Sequence, residues 1–186
     1  MKEILKGIYS LDGNPPNLEK YSKENQGLAV AMHPFYRQDK KGKRVFIDSK
    51  IDYFNRINEF LFTYSGPILT LEAYNSLDET EKHFLSLNHS TDRFFMRTNS
   101  ASSFLRDLNF SDMTNFIESL RVEKPVSVLG GYIFKGLFGD SAGCLAGLIR
   151  ELEKADIPFK KINSLIYSSP LNDEKKFLIL PPPDLI

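Results

Sequence analysis

A single cysteine lies where a helix is predicted to begin, directly after a glycine-rich loop. Cys144 is the only cysteine of the chain, and it follows the segment 139–143, which reads GDSAG. The start of a helix favours a thiolate through its dipole and its N–H groups, which is one way to make a cysteine nucleophilic. The alternative is a buried cysteine that packs as a small apolar side chain. Its position alone leaves both interpretations open.

The segment 139–143 also matches G-x-S-x-G, the nucleophile elbow of serine hydrolases. In that architecture the acid and the histidine follow the serine, whereas every histidine of this chain precedes Ser141. We therefore favour a glycine-rich turn in which Asp140 or Ser141 caps the helix. The glycines form neither a dinucleotide fingerprint nor a P-loop, and the cysteine and histidines lack the spacing of metal ligands. No cofactor and no metal are predicted.

Apolar runs predict the strands that must position this loop. Runs with the length and composition of buried strands lie near residues 28–32, 68–72, 93–97, 126–130 and 162–167. A further run at 177–180 is predicted to pair as an antiparallel edge strand before three prolines. We expect the strands at 28–32 and 126–129 to be central.

Helix signals separate these runs. Ser49 and Asp52 form a capping signature for a helix that ends at 65–67, and Ser76 begins a shorter helix that ends near Leu87. Ser111 is predicted to cap another helix, and the last one begins at Cys144.

This alternation predicts an α/β fold, because parallel strands need long crossovers that are usually helical. The expected architecture is a three-layer, doubly wound, mostly parallel sheet of five or six strands with helices on both faces. A length of 186 residues suits one domain, 1–186, with a polar lead-in at 1–26 and a C-terminal edge strand and tail at 170–186.

Composition narrows the range of partners. Lys and Arg number 24, as do Asp and Glu, so charge provides no basis for binding nucleic acid or an anionic membrane. No apolar run approaches the roughly 20 residues that span a bilayer, and the first residues lack the apolar core of a signal peptide. We predict a cytoplasmic protein that binds a small molecule or a protein partner. The oligomeric state and export by a dedicated secretion system stay open.

Ligands of open α/β sheets bind at the carboxyl ends of the strands. Residues that follow the strands or open the last helix are therefore expected to converge at one edge of the sheet. The predicted binding residues there are Glu72, Thr98, Asn99, Gly130, Gly131 and Gly143, and they accompany Cys144.

The span from the third strand to residue 157 resembles the isochorismatase-like cysteine hydrolases, which include nicotinamidases. Residues 99–104 (NSASSF) are similar to the Ser-Ala-Phe segment of that family with two extra residues, and 142–145 (AGCL) are similar to its Gly-Cys-Val helix start. The resemblance covers roughly half of the chain. It implies a doubly wound α/β fold and a catalytic set of cysteine, aspartate and lysine.

Only the cysteine of that set keeps its identity, as Cys144. The aspartate of the family falls near Met32 or His33, and its lysine falls near Met96 or Arg97. The resemblance thus offers His33 as a base and Arg97 as a positive charge, although a neutral imidazole is a different partner for a thiol than a carboxylate is.

Two functional hypotheses follow. In the enzyme hypothesis Cys144 attacks a small amide or ester, His33 accepts its proton and Arg97 orients the substrate, while N–H groups near Gly143 hold the oxyanion. In the binding hypothesis the protein has lost this chemistry and uses the strand-end surface or an aromatic-rich face. The sequence favours binding, since two family identities are replaced and 15 Phe and 8 Tyr exceed what catalysis needs. It also favours slow to intermediate alkylation of Cys144.

Overall fold

The structure is a computed structural model, and it describes an α/β arrangement of three helices and a large sheet. The helices are Asp52–Thr63 (α1), Phe110–Ser119 (α2) and Cys144–Lys154 (α3). None of the helices in this part of the chain is long and apolar enough to cross a membrane. The described residues are 2–5, 8–10, 14–18, 27–38, 44–46, 52–73, 82, 93–98, 110–120, 124–131, 134–135 and 141–167.

Seven strands form the main sheet. They are Lys2–Leu5 (β1), Ile8–Ser10 (β2), Ala29–Met32 (β3), Ile68–Ala73 (β6), Arg93–Thr98 (β7), Val126–Gly131 (β8) and Phe159–Tyr167 (β11). Their order across the sheet is β1-β2-β7-β6-β3-β8-β11. Two small antiparallel pairs lie apart from it: Tyr36–Gln38 (β4) pairs with Arg44–Phe46 (β5), and Phe134–Lys135 (β9) pairs with Ser141–Ala142 (β10).

The five predicted strands are confirmed as β3, β6, β7, β8 and β11, and all neighbouring pairs among them are parallel. The predicted count of five or six strands is too low for the main sheet. The lead-in contributes β1 and β2, which pair antiparallel with each other and with β7. Strands of four and three residues are too short to show a reliable period of two in the sequence. The predicted strand at 177–180 lies outside the described residues.

The helix predictions have different outcomes. α1 is confirmed, and the chain leaves it through Ser65, Gly66 and Pro67 into β6. The cap predicted at Ser111 is wrong by one residue or more, because α2 already begins at Phe110. The helix predicted to begin at Ser76 lies in a part of the chain that the structure does not describe, apart from residue 82.

Strand β3 is buried on both faces, which explains its uninterrupted apolar run. Val30 and Met32 belong to a core cluster that also contains the buried faces of α2 and α3. Ala29 and Ala31 belong to a second cluster, which contains the buried face of α1. Residues that alternate along the strand thus pack against different helices.

The direction of the connections reverses at β3. From β3 the chain moves outwards through β6 and β7, and it then returns to the other side of β3 to form β8 and β11. In open α/β sheets such a reversal leaves a crevice outside the carboxyl ends of the strands, where ligands bind. The residues that follow β3, the end of β8 and the start of α3 therefore flank the expected position of a site.

Candidate functional site

His33 directly follows β3 at this edge. Its backbone N–H donates to the carbonyl of Leu71 at 2.9 Å, which continues the pairing of β3 with β6. Its φ of 43° lies in the left-handed region, which costs a residue with a side chain on the order of 1–2 kcal/mol. Such conformations persist when the surroundings hold them, and they are common at functional sites.

A buried carboxylate holds the imidazole ring of His33. Nδ1 of His33 lies 2.9 Å from Oε1 of Glu72, and the two side chains are 4% and 0% exposed. This contact follows from the register, because Met32 pairs with Leu71 and the next residues of both strands are therefore neighbours. The bond satisfies a carboxylate that would otherwise be costly to bury.

The same histidine is hydrogen-bonded to Cys144. Since Nδ1 faces Glu72, Nε2 is the nitrogen available to the thiol. Cys144 is the first residue of α3 and is half-buried, and Gly143 precedes it with a φ of 102°. The first turn of α3 contains no acidic residue, so no side-chain charge within that turn offsets the positive end of its dipole.

The environment of His33 makes the ring basic. Burial lowers the pKa of His33, but the charge of Glu72 and the hydrogen bonds to Cys144 and Glu72 raise it more, from 6.5 to about 9. His33 is therefore an imidazolium at neutral pH. The proton that the enzyme hypothesis asks His33 to accept is already on the ring.

Three of the predicted binding residues are glycines at this edge of the sheet, and Gly130 allows close backbone approach there. Gly130 pairs in register with Met32, and its φ of 103° is a conformation that favours glycine. Gly131 ends β8 and pairs with Tyr167. Gly143 has a positive φ at the start of α3. These three predicted binding residues line the two ends of the connection from β8 to α3.

The remaining predicted residues lie on or after β7. Arg97 pairs in register with Glu72, and Thr98 pairs with Ala73, so their backbones lie at the same edge of the sheet. Asn99 is outside the described residues. The enzyme hypothesis gave Arg97 the role of orienting the substrate, and that role stays a prediction.

Sequence reasoning missed the role of Glu72 as the partner of His33. It named Glu72 only as a binding residue, although an acid near the end of the apolar strand ILTLEA was a usable signal. What it lacked was the adjacency of β3 and β6. No group of three or more potential metal ligands is found in the described ranges.

We expect the free energy of unfolding to fall as the pH rises from 6.5 through 9. The folded-state pKa of His33 lies above its unfolded value, so its contribution is complete below pH 6.5 and is lost as the pH passes about 9. The raised pKa corresponds to up to about 3 kcal/mol. Urea unfolding between these pH values checks this in a Cys144→Ala background, which removes the titration of the thiol. The fall should be smaller there and should end below pH 9, because Cys144 no longer helps to raise the pKa of His33.

The matched control for this measurement is His33→Gln in the same background. It should show little pH dependence over the same window. An equally steep fall in that variant would assign the effect to other groups and contradict the prediction.

His33 therefore contacts both Glu72 and Cys144 at the edge of the sheet where ligands of open α/β folds bind. The comparisons add no relative that would extend them. The chain matches no known protein family, no curated protein and no solved structure.

Proposed function

We propose that this protein is a cysteine-dependent hydrolase of small amides or esters. The observation that supports the proposal is the continuous set of contacts from Cys144 through His33 to Glu72. A nucleophile bonded to a histidine, which is in turn oriented by a third group, is the usual arrangement for covalent catalysis. The position of these groups at the reversal point of the sheet adds support, because substrates bind there in open α/β folds.

Acylation begins with the thiolate of Cys144 and the imidazolium of His33. The sulfur attacks the carbonyl carbon, and the electron pair of the C=O bond moves to oxygen. N–H groups at the start of α3 stabilise this oxyanion. When the tetrahedral intermediate collapses, the bond to the leaving group breaks, and His33 donates its Nε2 proton to the departing amine or alcohol. The product on the enzyme is a thioester of Cys144.

Deacylation returns the proton. His33 is now neutral, and it accepts a proton from water while the water oxygen attacks the thioester carbon. The carbon–sulfur bond breaks, which releases the carboxylic acid and restores the thiolate beside the imidazolium. Throughout the cycle the carboxylate of Glu72 accepts a hydrogen bond from Nδ1 and favours the protonated ring. The predicted role of Arg97 is to orient the substrate.

We also propose that the fold is a three-layer, doubly wound sandwich and that the chain is related to the isochorismatase-like hydrolases. Packing of α1 against one core cluster and of α2 and α3 against the other supports a three-layer, doubly wound arrangement. This arrangement and the position of Cys144 fit a diverged isochorismatase-like protein in which His33 and Glu72 replace the usual acid. A reactive thiol also fits the predicted cytoplasmic location, where thiols stay reduced.

The test combines turnover with detection of the acyl-enzyme. The protein is incubated with a panel of p-nitrophenyl esters and small primary amides, and the intact mass is recorded after rapid quenching. We expect turnover and an adduct with the mass of the acyl group on Cys144, both of which Cys144→Ala removes. Ser141→Ala is the matched control and should retain the activity, because the G-x-S-x-G serine has no part in this mechanism.

Other outcomes are informative. Loss of activity in Ser141→Ala with retention in Cys144→Ala would replace the proposal with a serine hydrolase. If no ester or amide of the panel is turned over and no adduct forms, the hydrolase is contradicted and the binding hypothesis is the better account of the chain.

A further inference from the structure

We infer that Tyr53 is the positioning residue that holds His33 against Cys144, an inference that rests on the proposed function. Tyr53 is the second residue of α1 and is 4% exposed. Its hydroxyl donates to the carbonyl oxygen of Pro34 at 3.0 Å, and Pro34 directly follows His33. The hydroxyl of Tyr53 therefore binds the backbone of the residue that directly follows His33.

His33 needs support on both sides because of its left-handed φ. On the preceding side, its own N–H is bonded to Leu71 at 2.9 Å. On the following side, the bond from Tyr53 holds the Pro34 carbonyl. The two bonds bracket the strained residue, so the direction of its side chain depends on both of them.

Tyr53 is itself held in place. Its ring lies 5.0 Å from the ring of Tyr167, at an angle of 53°. Tyr167 ends β11 and pairs with Gly131, which ends β8. The aromatic pair thus ties the hydroxyl of Tyr53 to the strand ends that flank the site, and a tyrosine packed in this way has little rotational freedom.

A purely structural role for Tyr53 is the competing explanation, and the chain provides a matched comparison. The hydroxyl of Tyr64, just after α1, donates to the carbonyl oxygen of Gly27, just before β3. Tyr53 and Tyr64 therefore make the same kind of bond at opposite ends of one strand. Loss of either bond should destabilise the fold, but only the bond of Tyr53 lies beside the histidine.

The experiment measures the pH at which the thiolate of Cys144 forms, from the rate of alkylation by iodoacetamide between about pH 5 and 10, a range that brackets the ordinary thiol pKa of about 8.5. The proteins are the wild type, Tyr53→Phe, Tyr64→Phe and His33→Gln, each checked for folding by circular dichroism. We expect Tyr53→Phe to raise the midpoint by on the order of half a pH unit, as fits the loss of one hydrogen bond. Tyr64→Phe should keep the wild-type midpoint despite a similar loss of thermal stability.

The outcomes separate this inference from the proposed function. If the wild type and His33→Gln share one midpoint, the proposed function falls and the inference falls with it. If those two differ but Tyr53→Phe titrates like the wild type, only the inference is overturned. Tyr167→Leu, which keeps the hydroxyl of Tyr53 but removes the ring packed against it, is the second variant. Like Tyr53→Phe, it should raise the midpoint of Cys144 thiolate formation above that of the wild type. An unchanged midpoint would count against the role of Tyr53.

Discussion

Replacing His33 with glutamine should lower kcat/KM for the hydrolysis of a small ester by about 100-fold or more, the usual contribution of a positioned acid or base. The variant should also move formation of the Cys144 thiolate to the ordinary thiol value of about 8.5 or above. In the wild type the thiolate should form below that value.

The physical reason is the charge on His33. At neutral pH the ring is an imidazolium, because its pKa is raised to about 9, and it is bonded to the thiol. A positive charge beside a thiol favours the thiolate, as does the start of α3. Glutamine keeps a polar group of similar size but removes both the charge and the proton that the leaving group needs. A half-buried thiol without this partner is harder to ionise.

The measurement uses the ultraviolet absorbance of the thiolate during a pH titration. Cys144 is the only cysteine, so one site contributes to the signal. Glu72→Gln is the graded control: it retains an acceptor for Nδ1 but loses the negative charge, so its midpoint should fall between those of the wild type and His33→Gln. Identical titration of the wild type and His33→Gln would contradict the proposed pairing of the Cys144 thiolate with the His33 imidazolium. The slow to intermediate alkylation expected from the sequence would then stand.

Gly130→Ala should destabilise the protein by at least about 3 kcal/mol, since it combines a strained φ with an overlap of backbone atoms. At the φ of 103° a side chain is rarely tolerated. An added Cβ would overlap the carbonyl oxygen of Met32 and lie 2.9 Å from its backbone N and C atoms. Met32 is the last residue of β3, and it cannot move aside without disturbing the pairing of β3 with β8.

Gly131→Ala is the matched control one residue along the same strand. A Cβ there would meet its nearest atoms, in Tyr167, at 3.6 Å, which is ordinary van der Waals contact. We expect it to change the free energy of unfolding by less than about 1 kcal/mol. Urea unfolding of both variants at one pH checks the pair. Similar stabilities for the two would contradict the close approach of β3 and β8 beside His33.

Local patterns in the sequence were sufficient for much of the fold. Buried strands such as β3 read as continuous apolar runs because both of their faces are covered, and α1 carries an apolar face behind a capping signature. The hairpin of β1 and β2 was not predictable in this way. Its short strands gain stability from pairing with β7, a contact that no local pattern encodes.

The sequence by itself determined that His33 ends a strand and that Cys144 opens a helix. It also predicted that both lie at the carboxyl ends of the strands. Only the tertiary structure decided that they are in contact and that Glu72 binds the ring of His33. Strand order and register join residues 39 positions apart, and these depend on long-range packing rather than on neighbouring residues. The same holds for the basicity of His33, because a pKa depends on burial and on charges that are brought close only when the chain folds.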